Sequence, residues 1–268
     1  MFAALLAALG FVGGFLSGLL GIGGGIVMVP LLLYVPPRLG FPLLDMRIVA
    51  GMTMVQVFAA AMLGYLVHRR RRAISAQVVR WMGSGMVLGT AGGGVASRPM
   101  SLGTLEAAFV LLAVLAAPVL FAPPPADEIG EGPAADFSRA FAAAAGLGIG
   151  FLSGLVGVGG AFLVIPVMIY LMGVPTRVAI GSSLGILVVS SLAGLAAKAA
   201  TGQVSVGGAL ALCAGTLPGS WLGAALSARV PARRLRLGLA VLVTLTAVRM
   251  LNDLQLVRQP SFRAVGRP

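Results

Sequence analysis

The sequence predicts an all-α, polytopic membrane protein that consists of two homologous repeats. Three observations support this fold class: the composition, the length of the apolar blocks and a long internal repeat. Of the 268 residues, 59% are hydrophobic and 10% are charged, and the mean hydropathy is +1.03. Soluble domains are about 45–50% apolar and about 25% charged. The composition therefore argues strongly against a water-soluble enzyme.

Apolar blocks follow one another along the chain, and most are near the roughly 20 residues that a membrane-spanning helix needs. They lie at about residues 2–34, 46–67, 74–97, 102–122, 138–172, 177–200, 204–228 and 234–256. A segment rich in proline and acidic residues separates the fourth block from the fifth, as expected of a solvent-exposed linker. This predicts a first transmembrane repeat (1–122), a linker (123–137), a second transmembrane repeat (138–258) and a basic tail (259–268).

The two halves resemble each other in sequence, which is the signature of a duplicated structure. Residues 15–24 (FLSGLLGIGG) return as residues 151–160 (FLSGLVGVGG), an offset of 136. Further along, the offset falls to 130, so that Arg47 corresponds to Arg177. At that offset, glycines spaced by four also match: Gly85, Gly89 and Gly93 with Gly215, Gly219 and Gly223. This spacing places each set on one helix face and predicts close helix packing.

The first block of each half is too long for one span and too short for two full spans. A glycine-rich break interrupts it, at residues 21–25 and again at 157–160. Two short helices that meet at the break fit this length, either as a hairpin or as one long interrupted helix. Because free backbone groups at membrane depth are tolerated only inside protein or beside water, we expect the two breaks to face each other in the interior.

The distribution of basic residues indicates how the repeats are oriented. In the first half, the basic turn at 69–72 follows the second block and Arg98 follows the third. The second half reverses this order, with Lys198 first and then a basic cluster at 229–236. Such a reversal is typical of inverted repeats with an odd number of passes, five in each half. Four parallel passes per half remain an alternative, and we favour a cytoplasmic location for the 69–72 turn.

The composition also limits the chemistry. The net charge of +12 arises mostly in turns between apolar blocks, which indicates topology signals and not nucleic-acid binding. One cysteine and one histidine leave no residues for a metal site, and we predict no cofactor. Outside the linker the acidic residues are Asp45, Glu106 and Asp253, all near block ends. The interior is thus neutral to positive, which favours an anionic substrate.

The two breaks are the predicted substrate site. Helix N-termini at the breaks would direct unpaired N–H groups and a positive dipole end at an anion, and nearby serine hydroxyls would add donors. Inverted-repeat transporters place substrates at interrupted helices of this kind. The predicted binding residues are Ser17, Gly21, Gly23, Gly24 and Gly25 in the first half and Ser153, Gly157, Gly159 and Gly160 in the second. Ala161 stands where the first half has Gly25, so the second break is expected to be less flexible.

Polar and basic residues at matching positions extend this site. Thr53 and Ser183 correspond to each other, and we expect them near the substrate, although such hydroxyls often bond only to their own helix. Arg47, Arg177 and Lys198 are candidates for guiding an anion into the pathway. Against this role, a lysine close to a helix end, like Lys198, ordinarily extends to the lipid headgroups.

The doubled G-F-L-S-G-L-[LV]-G-[IV]-G-G block, its downstream proline and the R-x-[VA]-[AI]-G-[MS]-[TS] run resemble the TauE/SafE family of membrane permeases. The resemblance covers nearly the whole chain. It implies a multi-pass plasma-membrane transporter for small sulfur-containing anions such as sulfite, sulfoacetate or aryl sulfonates, which works by alternating access between the halves.

Other function classes are less well supported. An anion channel or a non-transporting membrane scaffold has the same composition, and only a carrier would show acceleration by substrate on the opposite side. An intramembrane serine hydrolase would need Ser17 or Ser153 to meet His68 as the base. A single histidine at a block end fits a duplicated site poorly. The sequence does not identify the coupling ion or the oligomeric state.

Overall fold

The computed structural model of the chain describes residues 1–20, 24–69, 74–121, 137–226, 244 and 248–250. Every regular element within these residues is helical, which confirms the all-α fold class. The helices are α1 (Phe2–Leu20), α2 (Gly25–Arg38), α3 (Met46–Arg69), α4 (Ala76–Ala96), α5 (Leu102–Phe121), α6 (Arg139–Val156), α7 (Ala161–Pro166, continued by a π-helical turn, Val167–Leu171), α8 (Thr176–Ala200) and α9 (Val206–Leu226).

Five of the described helices are long and apolar enough to cross a membrane: α1, α3, α6, α8 and α9. The chain is therefore a multi-pass membrane protein. The described residues of the first half form five helices, the number expected if each repeat makes five passes. The last block of the second half, like the linker and the basic tail, lies almost entirely outside the described residues, so the division into domains and the inverted arrangement stay predictions.

Both predicted breaks are present. α1 ends at Leu20 and α2 begins at Gly25, while α6 ends at Val156 and α7 begins at Ala161. α2 lies back along α1, because Gly13 of α1 contacts Met28 of α2. At the second break, Gly160 lies against Ile149 of α6. The helices on either side of each break are thus packed as a hairpin, and the alternative of one long interrupted helix is wrong.

The glycine ladders hold helices of different halves together. α4 packs along α6, and α9 packs along α1. A Cβ at any ladder position would collide with a backbone carbonyl of the partner helix, so only glycine permits this approach. Gly85, Gly89 and Gly93 face the carbonyls of Ala143, Leu147 and Phe151, and Gly215, Gly219 and Gly223 face those of Ala7, Phe11 and Phe15. The contacts agree with the packing role that their spacing predicts.

α3 and α8 lie at the centre of the bundle. They are antiparallel, since Gly64 of α3 contacts Leu184 of α8 and Met54 of α3 contacts Gly194 of α8. Among the five candidate spans, these two are also the most deeply buried in the described structure. The hairpin breaks pack against this central pair, which positions the candidate site.

Candidate functional site

The second break runs along the buried face of α3. A Cβ at Gly157 would collide with the Ala50 carbonyl, and one at Gly159 would lie 2.5 Å from Val57 Cγ1 and 3.0 Å from Leu187 Cδ2. Because Val57 and Leu187 are central in α3 and α8, the break reaches the middle of the bundle. The backbone φ angles at Gly157, Gly159 and Gly160 are 79°, 81° and 72°. Residues with side chains rarely adopt this left-handed conformation, so glycine is required here.

The first break touches the second. Gly24 caps α2 with a φ of 63°, and a Cβ at Gly25 would collide with the Val158 carbonyl. Gly24, Gly25 and residues 157–160 are all buried. For the described residues, this confirms that the breaks face each other inside the protein. Gly21 and Gly23 lie outside the described residues, and their place in the site stays a prediction.

Two helices begin at the breaks with N–H groups that lack acceptors. The first N–H groups bonded within α2 belong to Val27 and Met28, which both donate to the Gly24 carbonyl. In α7, Leu163 and Val164 donate in the same way to the Gly160 carbonyl. Among the described residues, no acceptor serves the preceding N–H groups, those of Gly25, Ile26, Ala161 and Phe162. These buried helix ends present donors and a partial positive charge to the space around them.

A serine lies beside each break. A Cβ at Gly24 would lie 3.1 Å from Ser17 Oγ, and one at Gly160 would lie 3.3 Å from Ser153 Cβ. Ser153 is fully buried. Its carbonyl accepts the N–H groups of Gly157 and Val158, whereas its Oγ has no hydrogen-bond partner in the described structure. Ser153 therefore offers the second break a free hydroxyl.

Gln56 of α3 is a candidate that the sequence-based site prediction omitted. Its side chain is fully buried, and neither Oε1 nor Nε2 has a hydrogen-bond partner among the described residues. It follows Thr53 by three positions and directly precedes Val57, which contacts Gly159. An amide in an otherwise apolar stretch was the available sequence signal. A buried amide without partners costs free energy. Gln56 is therefore a candidate to form hydrogen bonds with a bound substrate.

Thr53 and Ser183 are satisfied within their own helices. Thr53 Oγ1 donates to the carbonyls of Val49 and Ala50, at 2.9 Å and 3.2 Å, and Ser183 Oγ donates to the Ile180 carbonyl at 2.8 Å. Thr53 lies on the face of α3 that contacts the second break, since Ala50 and Val57 are on that face. The hydroxyls are near the predicted position, but their donors are already used.

Lys198 does not extend to the headgroups. It is fully buried, and its ammonium donates to Ser97 Oγ at 3.1 Å, Gln203 Oε1 at 3.3 Å and the Leu155 carbonyl at 3.4 Å. These partners come from the C-terminal ends of α4 and α6 and the turn after α8. Converging helix C-termini stabilise a cation. All three N–H donors of the ammonium are used, so none is free for an anion in this arrangement.

The two arginine candidates lie at helix N-termini. Arg47 Nη2 donates to the Met100 carbonyl at 2.6 Å, and Nη1 lies 3.7 Å from the Asp45 carboxylate. Arg47 is therefore tied to the segment before α5. The backbone of Arg177 forms the first turn of α8, but its side chain lies outside the described part of the structure. The anion-guiding role of both residues stays a prediction.

The buried interior carries positive and not negative charge. Within the described residues, Lys198 is the buried charged side chain and no Asp or Glu is buried. The same residues contain no group of His, Cys, Asp and Glu that would bind a metal ion. The His68 side chain lies outside the described part, so the geometry of a serine–histidine pair is not defined. What the described site does contain is a set of neutral donors.

Comparison with known proteins shows that the chain is similar to two probable membrane transporters. It is 26% identical over 244 residues to the probable membrane transporter protein YunE of Bacillus subtilis (strain 168), with 84% of this chain and 87% of the relative covered. It is 24% identical over 257 residues to the probable membrane transporter protein MJ0441 of Methanocaldococcus jannaschii, with 92% and 94% covered. No solved structure gives a significant match.

The family match covers most of the chain. Residues 6–250 match the family described as "Sulfite exporter TauE/SafE". This family and both relatives are membrane transporters, so the function class is a transporter and not an enzyme. The resemblance in the doubled glycine motif is thereby confirmed: the chain belongs to the TauE/SafE family of membrane transporters.

Proposed function

We propose that this transporter moves small sulfur-containing anions, such as sulfite, sulfoacetate or organosulfonates, across the plasma membrane by alternating access. The substrate binds between the two helix breaks. The observation that carries the proposal is the contact between Gly25 of the first break and Val158 of the second, deep inside the bundle. Around this contact lie buried donors without acceptors.

The donors suit an oxyanion. The N-termini of α2 and α7 supply free N–H groups and a partial positive charge, which together favour anion binding. Ser153 adds a hydroxyl and Gln56 adds an amide, both unpaired and buried. Sulfite and sulfonate groups carry several acceptor oxygens, so one headgroup engages several donors at once. With no acidic side chain buried among the described residues, nothing there repels an anion.

The predicted residues take different roles in this proposal. Gly24, Gly25, Gly157, Gly159 and Gly160 form the backbone of the site, and Gly21 and Gly23 complete the first break. Ser17 and Ser153 flank the breaks, and Thr53 and Ser183 line the helices behind them. Lys198 acts as a positioning residue, because its bond to the Leu155 carbonyl fixes the end of α6 that leads into the second break.

Alternating access needs two bodies that move against each other. The glycine ladders join α1 to α9 and α4 to α6, so each ladder binds a hairpin of one half to a helix of the other. We propose that these two ladder-bonded units rock about the central α3–α8 pair. Such motion would expose the breaks first to one side of the membrane and then to the other.

Flux in proteoliposomes tests the proposal. We expect saturable, protein-dependent flux of sulfite or a sulfonate, with no comparable flux of simple carboxylates and none in protein-free vesicles. Substrate on the opposite side should accelerate flux, because a carrier returns faster when loaded. Absence of flux across the sulfur-anion panel would contradict the proposed substrate class, and flux without acceleration from the opposite side would indicate a channel.

A further inference from the structure

A cavity of about 810 Å³ opens between the helices at the end of the bundle where α3 ends and α4, α6 and α8 begin. Its lining includes Tyr65 of α3, Gln77, Arg80 and Trp81 of α4, Arg139 of α6 and Val188 of α8. None of these residues belongs to the site between the breaks. The volume is that of a binding cleft for a small molecule.

The lining of this cavity is basic. Arg80 and Arg139 contribute two positive charges, and no acidic residue lines the cavity within the described part of the chain. The Arg139 guanidinium lies 5.8 Å from the centre of the Trp81 ring, a cation–π contact that holds it at the wall. Neither arginine forms an ion pair with a described carboxylate. A cleft lined by one sign of charge concentrates ions of the opposite sign.

The inner end of the cavity approaches the second break. Val188 lines the cavity and packs against a small apolar cluster formed by Val57, Ala61, Ala161 and Leu187. Two members of that cluster, Val57 and Leu187, also contact Gly159 of the second break. A single apolar layer thus separates the basic cavity from the break. All four of its members are buried, so the layer is closed in this structure.

We propose that the cavity is the access vestibule of the anion site, with Arg80 and Arg139 as capture residues and the Val57–Leu187 layer as the closed gate. This inference rests on the proposed function, since it assigns the route by which the transported anion reaches the breaks. The shared chemistry is an anionic oxygen group. In this proposal the group that binds the two arginines belongs to the transported anion. The alternative is that it belongs to a phospholipid headgroup.

Cysteine labelling tests the vestibule without a flux measurement. Val188→Cys in a Cys213→Ala background reacts with two thiol reagents of opposite charge, the sulfonatoethyl and the trimethylammonioethyl methanethiosulfonates. The measured quantity is the rate of the anionic reagent divided by the rate of the cationic reagent. Both reagents react with the same thiolate, so a change in the thiolate fraction does not alter this ratio. The exposed residue Val206 at the start of α9, as Val206→Cys, provides the reference ratio, because no charged residue lies within five positions of it in the sequence. Val189→Cys, in the same lining, repeats the measurement if Val188→Cys folds poorly.

We expect the anionic reagent to be favoured about tenfold over the reference at Val188→Cys. Arg80→Gln together with Arg139→Gln should remove this preference. Arg98→Gln, an exposed arginine at the opposite end of α4, should leave it intact. Leu187→Cys should stay unreactive while the gate is closed. An equal rate for both reagents, or a preference that survives both arginine substitutions, would overturn the vestibule.

Binding of a lipid headgroup is distinguished from binding of a soluble anion by repeating the labelling in nanodiscs. These contain phosphatidylcholine with or without phosphatidylglycerol. A vestibule for a soluble anion keeps its preference in both, after correction by Val206→Cys. A preference that is present in pure phosphatidylcholine and lost with phosphatidylglycerol assigns the arginines to lipid headgroups and overturns the proposal. Because no flux is measured, these outcomes are independent of whether sulfur anions prove to be the substrate.

Discussion

In the glycine ladders each glycine lies inside a helix and faces the backbone of another helix, whereas in the breaks the glycines interrupt a helix. Gly89 illustrates the first case, since a Cβ there would collide with the Leu147 carbonyl. Gly159 illustrates the second, with a φ of 81° and side-chain neighbours only. The ladders lie in uninterrupted helices and bring those helices together, and the breaks leave donors without acceptors. The same residue type therefore supports structure in one region and a binding site in the other.

The largest effect is expected from a pair of substitutions, one in a break and one in a ladder, that should change flux and stability differently. Gly159→Ala should reduce flux per inserted molecule about a hundredfold, because the left-handed φ and the approach to Val57 reshape the break. The left-handed φ should cost about 1–2 kcal/mol of stability, and the overlap with Val57 should add about 1–3 kcal/mol. Gly89→Ala should lower stability by about 1–3 kcal/mol or more, since α4 and α6 must separate, yet folded molecules should keep their flux. Flux in proteoliposomes and thermal unfolding in detergent measure the two effects.

Gly148→Ala is the matched control for both substitutions, because no atom lies within 4 Å of a Cβ at that α6 position. It should leave flux unchanged and should not lower stability, since alanine within a helix gains about 0.5–1 kcal/mol over glycine. If Gly159→Ala transported at the wild-type rate, the break would be a packing feature like the ladders, and the comparison would fail.

A second comparison uses two buried glutamines. Gln56 has no hydrogen-bond partner among the described residues, whereas Gln203 accepts from Ser97 and Lys198 and donates to the Gly94 carbonyl. Gln56→Leu should lower flux about tenfold or more and raise stability by about 1–3 kcal/mol, because it removes an unsatisfied buried amide. Gln203→Leu should lower stability instead, because it leaves Lys198 short of an acceptor.

Melting temperature and flux, measured on the same preparations, check this pair. A binding role predicts that the two quantities move in opposite directions for Gln56→Leu. Should Gln56→Leu melt at a lower temperature and transport normally, the amide would have a structural partner and no part in the substrate site.

Spacing and repetition in the sequence predicted much of the fold. Glycines four residues apart indicated helix contact, and the repeated break predicted where helices end. The contact between the breaks followed from the physics of free backbone groups in a membrane. Ala161 shows the limit of such reasoning. Its Cβ packs in the apolar cluster with Val57, whereas a Cβ at Gly25 would meet a backbone carbonyl. Local neighbours thus account for the alanine, and the expected lower flexibility of the second break stays a prediction.

The polar residues were harder to rank because their partners come from distant segments. Lys198 is buried through acceptors at positions 97, 155 and 203, which no local pattern brings together. Thr53 has a hydroxyl counterpart in the second half, Ser183, whereas Gln56 falls opposite Ile186. The Thr53 hydroxyl, however, bonds to its own helix, and the amide one turn later is free. The sequence repeat indicates where the candidate site lies. The packed structure is needed to show which polar groups there have unused donors.

The smallest expected effect distinguishes two buried hydroxyls near the second break. Ser153→Ala removes an unpaired Oγ, so flux should fall by about three- to tenfold, the equivalent of one hydrogen bond to the substrate of about 0.5–1.5 kcal/mol. Thr53→Val removes a hydroxyl that already donates to Val49 and Ala50, so flux should change less than twofold. Concentration-dependent flux should show the loss in Ser153→Ala as a higher KM. Equal losses in the two variants would mean that the free hydroxyl has no special place in binding, and the site would then depend on backbone donors alone.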